Sequence, residues 1–252
     1  MTKTVLEVKN LTKKYGDLVA VNSISFSVAK GEVFGILGPN GAGKTTTLEM
    51  IETLREIDGG TATIAGIDVA KNPYAVRGMI GVQPQSPGFQ DKTKLKELLR
   101  MFGAAYGKKV NALELLKEVN LEEKADAYIE QLSGGQKQRF SIIAALVHDP
   151  TIFFLDEPTT GLDPQARRNL WELIKNVRDR GISVILTTHY MDEAEMLCDR
   201  IAIMDQGEII SLDTPKKLIK NLLDSGFSKD QVVEQANLED VFIELTGKDL
   251  NA

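Results

Sequence analysis

Residues Gly38 to Thr45 read GPNGAGKT, and this G-x-x-x-x-G-K-[ST] spacing constrains the chain more than any other stretch. An apolar run, Val33, Phe34, Gly35, Ile36 and Leu37, precedes it, and a helix-like segment, Thr46 to Leu54, follows. The order is therefore strand, loop, helix. A phosphate chain carries several negative charges, which the N–H groups of a tight loop and the positive end of a helix can cradle. Gly38, Gly41 and Gly43 let the backbone turn and approach closely. Lys44 can reach the β- and γ-phosphates, and the Thr45 hydroxyl suits Mg²⁺. A chain built on this loop is an α/β protein that binds a nucleotide.

The length of 252 residues allows one domain with an appendage, or two small ones. A net charge of −6 argues against a partner held by bulk positive charge, so no nucleic acid is expected. The start, MTKTVLEVKN, lacks the apolar core of a signal peptide, and no apolar run reaches the roughly 20 residues a membrane-spanning helix needs. The single cysteine, Cys198, reads as a packing residue in a helix-like segment, in a reducing compartment.

Val5, Leu6 and Val8 suggest a first strand, and Val21, Ile24, Phe26 and Val28 a second. Lys13 to Asp17 reads as a polar turn between them. Its Tyr15 is either an ordinary turn residue or a ring for a purine to stack on. A strand at Thr61 to Ala65 and another at Ile80 to Val82 follow, the latter ending in the irregular QPQSPG loop. Helical spacing then governs Thr93 to Tyr106 and Ala112 to Val119. The stretch from about 88 to 150 therefore reads as a helical subdomain inserted into an α/β core.

Leu132 to Gln136, LSGGQ, precedes a helix expected over Lys137 to His148. Ser133 fits a plain N-cap, and the two glycines equally fit a second phosphate-binding helix terminus. The strand TIFFL, Thr151 to Leu155, ends on Asp156 and Glu157. Ligands of open α/β sheets bind beyond the carboxyl ends of strands, which places these acids near the phosphates. Asp156 is then suited to hold Mg²⁺ and Glu157 to polarise an attacking water. Asp163 lies in the next turn, before a helix expected over Gln165 to Arg180, and His189 follows a strand at Ser183 to Leu186, in reach of a γ-phosphate. A hairpin (Ile201 to Met204, Glu208 to Ser211), a helix from Thr214-Pro215 and a last helix at Leu238 to Leu245 complete the reading. No internal repeat, low-complexity tract or metal-ligand cluster stands out.

With these residues assembled, the chain resembles the nucleotide-binding subunits of ATP-binding-cassette (ABC) transporters. Tyr15, the loop Gly38 to Thr45, Gln85, LSGGQ at 132 to 136, Asp156-Glu157, Asp163 and His189 stand in that family's order. The resemblance implies a P-loop NTPase core with a parallel central sheet, an antiparallel β subdomain and the helical insert, over residues 1–220, with a short helical extension at 221–252. It assigns ATP to Tyr15, to Gly38, Pro39, Asn40, Gly41, Ala42, Gly43, Lys44, Thr45 and Thr46, and to Asp163. Mg²⁺ falls to Thr45, Gln85 and Asp156, and catalysis to Glu157, His189, Lys44 and Gln85. Ser133, Gly134, Gly135 and Gln136 would complete the site of a second ATP-binding subunit. The helical insert and the Gln85 loop would grip separate transmembrane permease subunits at the cytoplasmic face of a membrane. The THYMDEAEMLCDRIAIMDQGEII run and the terminal LEDVFIELTG look like the multidrug and polysaccharide exporter type.

Overall fold

The computed structural model describes residues 3–85, 88–90 and 92–227. Two compact units are distinguished, Met1–Leu218 and a second beginning at Ile219, and the site lies within the first. The expected helix at Leu238 to Leu245 falls outside the described residues.

Strands β1 (Thr4–Tyr15) and β2 (Leu18–Ala29) form an antiparallel hairpin, joined on the far side of β1 by β4 (Gly59–Ile64) and then the short β5 (Ile67–Asp68). The first two strands run longer than their apolar residues suggested. Lys13 to Tyr15 pair with Leu18 to Val21, so the turn shrinks to Gly16-Asp17. Polar residues extend the strand because Asp58 accepts from both the Lys13 ammonium, at 2.9 Å, and the Lys14 N–H, at 2.7 Å.

The second sheet carries the site. Its order is β10-β9-β3-β8-β7-β6, with β3 (Val33–Leu37), β6 (Ile80–Gln83), β7 (Ile152–Asp156), β8 (Ser183–Thr188) and β9 (Arg200–Asp205) in parallel and β10 (Glu208–Asp213) antiparallel at one edge. These strands are nearly continuous apolar runs because both faces are covered. Phe34, Ile36, Ile152, Phe154 and Ile185 turn toward the antiparallel sheet and α1 (Lys44–Ile51). Val33, Leu37, Phe153, Leu155, Val184 and Leu186 turn the other way, into a helical layer, as the period-2 pleat requires.

That layer includes α3 (Leu95–Ala105), α4 (Ala112–Glu118) and α5 (Gly134–Ala145), which with two short 3-10 turns occupy the chain between β6 and β7. It continues with α6 (Pro164–Asp179) and α7 (Met191–Leu197). α2 (Pro73–Arg77) and α7 had no counterpart in the apolar periodicity, being short and, in α7, acidic in the first turn. α5 starts at Gly134, three residues earlier than expected, because Ser133 caps it. The last helix, α8 (Pro215–Asp224), begins in the first unit. Among the described residues, no helix is long and apolar enough to cross a membrane.

Candidate nucleotide site

The parallel register decides what meets. Leu37 pairs with Thr188, Asp156 with Thr187, and Gln83 with Leu155. The segments beginning at Gly38, Pro84, Glu157 and His189 therefore leave the sheet at one edge, beyond the carboxyl ends of four adjacent strands.

The loop after β3 is fixed by its glycines. Gly43 has φ +99°, and a Cβ there would lie 2.4 Å from the Ala20 carbonyl oxygen; one on Gly38 would lie 2.1 Å from that of Met204. Close backbone packing on both sides holds the loop around Lys44. The buried ammonium of Lys44 donates to the carbonyls of Gly38 (2.9 Å) and Pro39 (3.0 Å) and lies 3.4 Å from Glu157 Oε1. The loop thus presents a fixed cation with two carbonyl oxygens and one carboxylate oxygen beside it, and a phosphate oxygen is the stronger, charge-assisted acceptor for its N–H donors.

Glu157 is the meeting point. Gln85 Nε2 lies 3.5 Å from Glu157 Oε2, Thr160 Oγ1 donates to the same oxygen at 3.3 Å, and His189 Nδ1 stands 3.2 Å from it. The imidazole is near enough for an ion pair when protonated but is not aligned as a hydrogen bond. Burial pushes the Glu157 carboxyl up, yet the His189 and Lys44 interactions outweigh it and hold the group below its ordinary value. It is a carboxylate at neutral pH. Its backbone has φ +46°, a left-handed conformation costly for a residue with a Cβ. The Glu157 N–H donates to Thr187 Oγ1 at 3.0 Å and to the Thr187 carbonyl at 3.2 Å, which fixes that geometry.

Asp156 is buried beside it. Thr45 Oγ1 donates to its two oxygens at 3.2 and 3.0 Å, and Thr187 Oγ1 donates to Oδ1. A hydroxyl and a carboxylate in contact are hard oxygen donors of the kind Mg²⁺ takes, so the residues present fit that ion. The exposed amide of Gln85 sits against Glu157 rather than against this pair. Thr187 and Thr160 were not singled out in the sequence, since a threonine at a strand end or in a turn carries no motif of its own.

Tyr15 ends β1, part-exposed, with the Arg55 guanidinium 5.4 Å and the Lys13 ammonium 5.7 Å from its ring centroid. The LSGGQ segment stands elsewhere. Ser133 Oγ accepts from the Gln136 N–H at 3.3 Å, and Gln136 Oε1 accepts from the Ser133 N–H at 3.0 Å, a reciprocal capping box. Asp163 caps α6 by accepting from the Ala166 N–H at 2.8 Å, and it lines one cavity of about 380 Å³ with Ser133 to Gln136. Among the described residues, no hydrogen bond or ion pair joins Ser133–Gln136 to Lys44, Asp156, Glu157 or His189. The structure thus brings Lys44, Thr45, Gln85, Asp156, Glu157 and His189 together and leaves Asp163 with the signature segment.

Residues 21–160 match the family model described as ABC transporter. The chain belongs to the ABC transporter family. Over 226 residues it is 42% identical to "Nod factor export ATP-binding protein I" of Burkholderia orbicola (strain AU 1054), covering 88% of this chain and 74% of that protein. It is 44% identical over 223 residues to "Linearmycin resistance ATP-binding protein LnrL" of Bacillus subtilis (strain 168), covering 86% and 72%. A dimeric ATP-binding cassette solved in a post-hydrolysis state with ADP and Pi superposes with a TM-score of 0.74 at 28% identity, over 83% of this chain and 98% of that one. This chain is accordingly an ABC transporter ATP-binding cassette, with the α/β fold of that family. The family is one of ATPases, and its cassettes bind nucleotide and dimerise.

Proposed function

We propose that the chain hydrolyses ATP to ADP and phosphate as the motor subunit of a membrane exporter, paired with a second cassette and with separate transmembrane subunits at the cytoplasmic face. The observation that carries this reading is the convergence of Lys44, Gln85 and His189 on a Glu157 held ionised at φ +46°. A carboxylate in that position orients a water by accepting its proton in a hydrogen bond. Lys44 stabilises charge on the phosphate oxygens, and His189 donates to the terminal phosphate. Asp156 and Thr45 would hold Mg²⁺, which would neutralise further charge on the phosphates, and Gln85 would reach it only by leaving Glu157. Tyr15 takes the adenine. Positioning and charge supply the catalysis.

Ser133 to Gln136 present a helix N-terminus that the phosphate cluster of their own chain leaves unused, which supports completion of each site by the partner's signature segment. Asp163, beside it, would stand at the same interface. The exporter assignment rests on the names of the two relatives above. We read residues 1–220 as the cassette, 88–150 as its helical insert and 221–252 as an appended extension.

Mixing two inactive variants tests this reading. Lys44→Ala removes the cation of the phosphate loop. Gly134→Asp adds a carboxylate at the signature, where a Cβ meets open space. If the sites form between chains, an equal mixture regains about a quarter of the parent phosphate release, since half the dimers are mixed and each mixed dimer holds one intact site. Phosphate release no faster than that of either variant alone would refute the shared site, and a parent chain that releases none would refute hydrolysis.

A further inference from the structure

The helix after His189 carries an acid that its packing does not require. The buried side chains of α7 are Glu193, Ala194 and Leu197, and Glu193 is wholly excluded from solvent. An acid so placed loses its water, a cost that a leucine packed against α6 would not incur. Glu193 Oε1 accepts from Trp171 Nε1 of α6 at 3.1 Å. Burial raises the carboxyl pKa, and the hydroxyls of Thr188 and Thr159, the Trp171 indole and the Arg167 charge pull it part of the way back.

Those two hydroxyls belong to the chain ends that carry the reactive groups. Thr188 closes β8 and immediately precedes His189. Its Oγ1 accepts from the Tyr190 N–H at 3.0 Å, which leaves its own hydrogen for the Glu193 carboxyl. Thr159 lies two residues past Glu157, in a turn where the Thr160 N–H donates to the Glu157 carbonyl at 3.2 Å. Both threonines are buried, so neither hydroxyl has water to turn to. Among the described residues, Thr159 Oγ1 and Glu193 Oε2 have no aligned hydrogen bond, so each keeps the capacity to bind the other. The same face of α6 acts on His189 by a second route. Arg167, one turn before Trp171, sets its guanidinium 4.4 Å from the Tyr190 ring centroid, and that ring packs 4.1 Å from the His189 ring.

We propose that Glu193 is a positioning residue for ATP hydrolysis: anchored to α6 through Trp171, it holds the Thr188 and Thr159 hydroxyls and so fixes the spacing of His189 and Glu157, which stand 3.2 Å apart. An apolar residue at 193 would pack α7 equally well, but only acceptor oxygens reach both chain ends at once. The inference rests on the hydrolysis reading above and adds a residue that lies outside the phosphate cluster.

The test compares Glu193→Leu with Glu193→Gln in the full chain, measuring steady-state phosphate release and ATP affinity per folded molecule, with the folded fraction taken from urea unfolding. Glu193→Leu keeps the bulk and removes the acceptors. It should lower kcat at least about tenfold while ATP affinity stays within about twofold of the parent, because a shift on the order of 1 Å at reacting groups costs up to about 100-fold. Glu193→Gln retains an oxygen for Trp171 and an amide for the hydroxyls, and should keep kcat within about threefold of the parent. If Glu193→Leu does not fold, Thr159→Val, which leaves the acid and its Trp171 contact in place, replaces it with the same expected split. Parental kcat in the deciding variant, a fall in kcat matched by the fall in ATP affinity, or an equal fall in Glu193→Gln would overturn the inference and leave hydrolysis standing. A parent chain that releases no phosphate would overturn both.

Discussion

Glu52, just past the end of α1, is buried, and among the described residues none gives its carboxyl a hydrogen bond or an ion pair, which leaves a thermodynamic signature in the isolated chain. Its carboxyl titrates at about 8 when folded, against an ordinary value of 4.5. Between those values the folded chain holds a proton that the unfolded chain has released, so the unfolded state binds fewer protons and stability falls as pH rises through the window. Each unit of difference is worth about 1.4 kcal/mol, which gives a penalty under about 1 kcal/mol at pH 5, about 3 at pH 7 and about 5 at pH 9. Glu52→Gln keeps the shape of the protonated acid and removes the titration. Urea unfolding of parent and variant, each at pH 5, 7 and 9, isolates the term, because every other titrating group is common to both. The variant should match the parent within about 1 kcal/mol at pH 5 and exceed it by several at pH 9. A stability difference that stays constant from pH 5 to pH 9 would show that Glu52 is solvated or paired in solution, and would refute its burial as a lone acid.

Gly43→Ala and Gly41→Ala separate strain from collision in the phosphate loop. Both sites have positive φ, but a Cβ at 41 meets open space and one at 43 meets the Ala20 carbonyl, so Gly43→Ala should lose at least about 2 kcal/mol more by urea unfolding, together with ATP affinity; equal losses would refute the packing argument. Trp171→Phe removes the Nε1 donor that lies 3.1 Å from Glu193 Oε1, and Glu193 is fully buried with its carboxyl pKa raised by that burial. The expected cost is about 1–3 kcal/mol at neutral pH, and an unchanged urea midpoint would place the donation outside the energetics of folding.

The phosphate loop was legible because Gly38 and Gly43 leave no room for a Cβ and Gly41 takes a positive φ, so the spacing encodes the geometry directly. Asp156 and Glu157 were legible for a related reason: a strand as apolar as TIFFL is buried on both faces, and polar residues at its carboxyl end have only the ligand edge to occupy. What escaped detection depends on pairing between distant strands. That Thr187 holds both Asp156 and the Glu157 N–H follows from the β7–β8 register, which aligns residues 31 positions apart, and a threonine in Ser183–Thr188 carries no local mark of that contact. The left-handed backbone of Glu157 is set by the same pairing, since the amide is turned onto Thr187 rather than onward along the strand. Glu52 escaped for the opposite reason. In MIETL it reads as an ordinary acidic residue at the end of a helix, and its burial beside Arg77, β6 and the helical insert comes from segments distant in sequence. The residues that bind phosphate announce themselves by type and spacing, whereas those that couple one segment to another acquire their chemistry from the fold.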